Sequence, residues 1–150
     1  MQERFETFTV LINRISRNIR RIKNQEMADH GLRSAHVSCL YYLYTGSGVT
    51  ATELCERCEE DKATISRALE YLEQEGYLTG QAQTTKRYKT PLVLTQKGQA
   101  VGQKIAQKID GVLDAVGHSM TEAQRLDFYR NLSAVSKCLE EVARSEGYDK

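Results

Sequence analysis

From Thr50 to Gly98 the sequence orders a short helix, a tight turn, a second helix with one polar face, and a basic hairpin, and few folds accept that succession. Thr50-Ala51-Thr52-Glu53 is a capping box, in which a threonine hydroxyl and a glutamate carboxylate satisfy exposed amides at a helix start. A helix of about ten residues follows, with Leu54 and either Cys58 or Cys55 facing inward. Asp61 is placed to cap the next helix, which runs to about Glu75 and stops at Gly76. Ile65, Ala68, Leu69 and Leu72 share one face of it, while Ala63, Ser66, Arg67 and Glu70 share the other, with Thr64 at the edge. Tyr77-Leu78-Thr79 and Leu92-Val93-Leu94 read as paired strands around the tip Thr84-Thr85-Lys86-Arg87, and Pro91 suits an edge.

The flanks are helical. Phe5, Phe8, Ile12, Ile15, Ile19 and Ile22 alternate spacings of three and four, which draws an apolar stripe down a helix from Phe5 to about Met27. Leu11 widens it, Arg14, Arg17 and Arg21 run beside it, and Gly31 ends the segment. So long an apolar helix needs cover that a chain of this size supplies poorly, so a second copy is expected on it. Ser34 is read as the cap of a helix to about Tyr44, apolar enough to be buried through Val37, Leu40, Tyr41, Leu43 and Tyr44. Gly46-Ser47-Gly48 is a turn, and Val49 a short strand residue. Thr95 caps a long helix to about Val116, striped by Val101, Ile105, Ile109, Val112 and Val116. Thr121-Glu122-Ala123-Gln124 repeats the capping pattern before a last helix to about Ala143, with Leu132, Val135, Leu139 and Val142.

The expected fold is therefore mostly α with a small β-wing. Its net charge of +1 says little about a nucleic-acid partner, because distribution matters more than the sum. Thr79 to Lys97 holds four bases (Lys86, Arg87, Lys89, Lys97) and no acid, whereas Glu53 to Asp61 holds five acids and one base. No apolar run is long enough for a membrane span, and Met1 to Phe5 lack the start of a secretory signal, so a cytoplasmic setting is expected.

In such a fold the second helix of the pair enters the major groove of DNA and its first turns reach base edges. Lys62, Ala63, Thr64, Ser66 and Arg67 occupy those turns. Arg67 is best placed for a two-pronged contact with guanine or a phosphate, and Ala63 lets the backbone approach or meets a thymine methyl. On the hairpin, Lys86, Arg87, Tyr88 and Lys89 suit a narrow minor groove. Helix starts at Ser34 and Thr50 offer amides to backbone phosphates.

The segment Thr50 to Gly98 resembles the MarR family of winged helix-turn-helix regulators. The resemblance rests on Ala51-Thr52-Glu53-Leu54, Lys62 through Leu69, Leu72 through Leu78, Lys86-Arg87-Tyr88 and Leu94-Thr95-Gln96-Lys97-Gly98. It implies a homodimer on a pseudo-palindromic operator, with residues 34–96 as the winged module and residues 1–33 and 97–150 as dimerisation helices. The contacts implied there fall on Phe5, Phe8, Ile12, Ile15, Ile19, Val112, Val116, Leu132 and Leu139. A repressor relieved by a small molecule or by oxidation is the expected activity. An effector cavity beside the arm would be lined by Tyr41, Tyr42, Tyr44 and His36. The family often places an aspartate before the wing arginine; here that position is Lys86, which implies either a more mobile wing or one that binds phosphates rather than bases.

Two other readings compete. On the same fold, a protein-interaction module or anti-repressor with little DNA affinity would suit the near-neutral charge. An enzyme has no nucleophile elbow, P-loop or zinc-protease motif to stand on. Cys55-x-x-Cys58 puts two sulfurs on one helix face and offers a redox pair, but with no second cysteine or histidine pair no metal site is expected, and no cofactor. Cys39 and Cys138 read as core residues.

Overall fold

The computed structural model describes residue 4, residues 6–80 and residues 89–145. The described residues form six α-helices: α1 (Leu11–Glu26), α2 (Ser34–Thr45), α3 (Ala51–Cys58), α4 (Lys62–Gln74), α5 (Gln96–Gly117) and α6 (Glu122–Ser145). The chain divides into two compact units, Met1–Lys108 and Ile109–Lys150.

In the first unit, α2, α3 and α4 pack on one another around Leu40, Leu54, Ile65 and Leu72, all fully buried. Burying each such side chain contributes about 1.5–3 kcal/mol. The caps expected at Thr50, Asp61, Thr95 and Thr121 are present. Thr50 Oγ1 accepts the Glu53 amide at 3.3 Å while Glu53 Oε2 accepts the Thr50 amide at 2.8 Å. Asp61 Oδ1 accepts the Thr64 amide at 2.7 Å, and Thr95 Oγ1 accepts the Gly98 amide at 3.1 Å. In the second unit, Thr121 and Gln124 close the same box at the head of α6.

Two boundaries differ from expectation. The arm opens with a π-helical turn, Glu6–Val10, before α1 becomes regular. Ser34 is the first residue of α2 rather than its cap. Arg33 holds the extended cap position, its amide donates to His36 Nδ1 at 3.1 Å, and the Ser34 amide donates to Asn24 Oδ1 at 2.7 Å. The helix start is thus tied to α1, a long-range contact that local patterning does not contain.

The hairpin base follows α4. Leu78 and Leu94 form an antiparallel bridge, with Thr79 N–H to Val93 O and Thr95 N–H to Tyr77 O both at 3.0 Å. Val49 joins by accepting the Leu92 amide at 2.9 Å. Leu78, Leu92, Leu94 and Val49 are buried, and Pro91 is exposed. The tip with Lys86, Arg87 and Tyr88 lies outside the described residues, as does Phe5.

Candidate nucleic-acid interface

The helix-turn-helix is α3 and α4. Glu59, in the left-handed region at φ 51°, ends α3, and Glu60 and Asp61 complete the turn. With Ile65, Ala68, Leu69 and Leu72 buried, the opposite face of α4 must point to solvent. Lys62, Ala63 and Arg67 are exposed on it, with Thr64 and Ser66 half-exposed. Arg67 Nη2 donates to Thr64 Oγ1 at 3.3 Å, which sets the guanidinium along the outward face one turn from the helix start. Asp61's hydrogen bond from Thr64 N–H holds its carboxyl below the usual range, so it stays an anion at the positive end of α4.

The other end of α4 is joined to the hairpin. Lys97 Nζ donates to Glu75 O at 2.6 Å and sits 4.1 Å from the centre of the Tyr77 ring. Thr95 Oγ1 donates to Gly76 O at 2.7 Å. Lys97, one of the four bases counted in this region, therefore caps the C-terminal end of α4. Lys89, just past the tip, is exposed.

The amides of Ser34 and Thr50 are both engaged within the chain, by Asn24 and Glu53. At these two positions the free donors expected for phosphate are already in use. Glu53's carboxyl is held below its usual range chiefly by the Thr50 amide.

The four residues expected around an effector cavity take separate neighbours. His36 stacks on Tyr71, ring centres 4.4 Å apart, and Tyr71 Oη donates to Gly31 O at 3.2 Å. Tyr41 and Tyr42 meet edge to face at 5.3 Å. Tyr44 lies against Gly102, where an added Cβ would be 2.7 Å from Tyr44 Cβ. Two open grooves lie on the arm: Arg17, Arg20, Arg21, Asn24, Gln25 and Ala28 line one, and Glu6, Thr7, Val10, Leu11 and Arg14 the other.

His36 carries a pH consequence. Burial first, and then Arg33, pushes its pKa below the ordinary histidine value. The unfolded chain therefore takes up a proton before the folded one does. Stability from this site is complete above about pH 6.5 and is lost as pH falls through the lowered folded value, where Nδ1 stops accepting the Arg33 amide. Melts from pH 7.5 to 5 should show a steeper loss for the native chain than for His36→Gln; parallel curves would remove His36 from this role.

Among the described residues, no cluster of three or more histidine, cysteine or acidic side chains is placed to hold a metal, and no helix is long and apolar enough to cross a membrane.

A buried trihelical core, an outward polar helix face and a strand pair on its far end define a winged helix-turn-helix protein. Residues 30–87 match the MarR family. The chain is similar to NMB1585, a MarR family regulator from Neisseria meningitidis, with 20% identity, a TM-score of 0.79 and coverage of 95% of this chain and 97% of that one. It is also similar to MepR of S. aureus in a structure with DNA, at 19% identity and a TM-score of 0.77 over 88% of this chain and 97% of that one. A third similarity is to MarR itself, at 25% identity and a TM-score of 0.67 over 94% of both chains. Comparison with curated protein sequences gives no match. The fold is thus the one that MarR family regulators share, and the match to the family itself covers residues 30–87.

Proposed function

We infer that this chain acts as a homodimer that binds a specific double-stranded DNA operator and represses transcription by occupying it. The observation that carries this reading is the outward face of α4: Lys62, Ala63, Thr64, Ser66 and Arg67 stand on a helix whose other side is buried to the last methyl. Such a helix is rigid where it must be and polar where a groove would meet it. MepR, whose fold this chain shares, forms a complex with DNA, which supports a DNA partner here.

Dimerisation is supported by apolar surface left uncovered in each unit. Ile15 and Ile19 are 47% and 49% exposed in the first, and Val116, Leu132 and Leu139 are similarly open in the second. Contiguous apolar rows of this kind mark protein interfaces. A dimer would set two copies of α4 about one DNA turn apart, roughly 34 Å. A signal that changes that spacing lowers affinity by the strain of the mismatch.

Selection of bound fragments from random DNA with the purified, reduced protein should yield an inverted repeat. Against it, Arg67→Ala should lose about 1–3 kcal/mol of discrimination between operator and non-operator DNA. Lys86→Ala should instead weaken binding to all sequences and lower the salt slope by about one unit. If selection enriches nothing and no duplex is retained at low salt, the interaction-module reading takes its place.

A further inference from the structure

Tyr71 of α4 reaches across to the turn between α1 and α2. Its hydroxyl donates to Gly31 O at 3.2 Å, and its ring stacks on His36 of α2 with centres 4.4 Å apart and planes 8° from parallel. The turn it meets is tied down on both sides. Met27 and Leu32 are buried, and Met27 O accepts the Leu32 amide at 3.2 Å. Gly31 sits in the left-handed region at φ 68°, a common way to end a helix. The Ser34 amide donates to Asn24 Oδ1 at 2.7 Å and Lys23 Nζ to Ser38 Oγ at 3.1 Å, which joins α2 to α1. The His36 ring is itself held, since Nδ1 accepts the Arg33 amide at 3.1 Å.

Tyr71 stands where it can set the aim of α4. Residues 64, 67 and 71 are spaced by three and four and so lie on one side of a helix. Tyr71 continues the line of Thr64 and Arg67, and it is half-buried at the seam between that line and the row Ile65, Ala68, Leu69 and Leu72. Apolar burial has no preferred direction, so the row sets the rotation of α4 less closely than directional contacts do. A hydrogen bond and a ring stack are directional. The difference matters at a groove. A turn of α4 by about 20° moves side-chain tips by about 2 Å at a radius of about 5–6 Å, more than a base-edge hydrogen bond tolerates. Gly31 is matched to this contact: a Cβ there would lie 2.9 Å from Tyr71 Oη, so the glycine leaves room for the hydroxyl.

We propose that Tyr71 is a positioning residue for operator recognition. Through Gly31 O and His36 it fixes the rotation of α4 against the α1–α2 turn, and so aims Lys62, Thr64 and Arg67 without touching DNA. The anchoring is a property of the free protein; its effect on DNA rests on the function proposed above.

Tyr71→Phe removes the hydroxyl and keeps the ring. Its Tm should stay within about 4 °C of the native value, so the fold survives. In the free protein, amides of residues 67–74 should exchange with solvent several-fold faster than in the native chain, with those of α3 unchanged. Affinity for the selected inverted repeat should fall about fivefold, while affinity for a scrambled duplex of the same length should not change. Gly31→Ala should act in the same direction and more strongly, because its methyl pushes the hydroxyl aside. In the double variant the methyl takes the space of the missing oxygen, so operator affinity should return toward that of Tyr71→Phe. The strain of alanine at φ 68° is common to both alanine variants and cancels between them.

Unchanged exchange at residues 67–74 in Tyr71→Phe overturns the anchoring. Equal losses on the two duplexes overturn the positioning role, and so do losses that multiply in the double variant, which would mean that Tyr71 and Gly31 act independently. A native chain that binds no duplex, with exchange at residues 67–74 still faster in Tyr71→Phe, overturns the DNA reading and leaves the anchoring standing.

Discussion

Gly98→Ala should lose about 3 kcal/mol of stability or more, a drop of about 6–12 °C in Tm, and with it operator binding. A Cβ at Gly98 would lie 2.1 Å from the Tyr77 carbonyl oxygen and 3.0 Å from Leu94 Cδ2. The first of these is backbone, and it cannot turn aside. Tyr77 O already accepts the Thr95 amide at 3.0 Å, in the pair of bonds that closes the hairpin base. The added methyl must therefore push α5 off the strand pair or break the pairing. Either outcome exposes Leu78 and Leu94 and detaches the base of the wing from α4. Gly111 on the same helix gives the opposite sign. Nothing lies within 4 Å of a Cβ built there, so Gly111→Ala should gain up to about 1 kcal/mol from helix propensity. Chemical denaturation of the two variants side by side checks both. Equal effects would mean that the close approach at Gly98 yields more readily than its backbone partner suggests.

The second large effect is expected on the arm. Ile15→Asp combined with Ile19→Asp should convert the proposed dimer to monomer at micromolar concentration and weaken operator binding by at least about a hundredfold. Both side chains are about half exposed in the single chain, so their loss costs the monomer's own core little. In a dimer each would be sealed against the partner, where an uncompensated carboxylate is strongly disfavoured. The DNA term follows from linkage: two half-site contacts held in one molecule exceed a single contact by about 10²–10⁴. Sedimentation and operator titration on the same sample decide it. An unchanged mass would place the interface elsewhere, and a monomer with full affinity would mean that one recognition helix suffices.

Much of the helix-turn-helix was legible because its signals are local. The hydroxyl and carboxylate caps at Thr50, Asp61, Thr95 and Thr121 each act on a residue three positions on. The buried row of α4 follows from helical period alone, and naming its buried face names the open one. Leu-Thr-x-x-Gly at residues 94–98 was noticed as a pattern, but why its last residue is glycine becomes visible only when Tyr77 O is found against it. The effector cavity was read from tyrosines adjacent in sequence. Tyr41 and Tyr42 meet each other, whereas Tyr44 lies against Gly102 and His36 stacks on Tyr71, neighbours that sequence adjacency does not contain.

The chain's order of residues determined where α3, α4, α5 and α6 begin and which face of α4 is buried, because each of those depends on contacts within one turn. Folding in three dimensions decided the pairs, Ser34 with Asn24, His36 with Tyr71 and Gly98 with Tyr77, because each joins residues that only the packing of separate elements brings together.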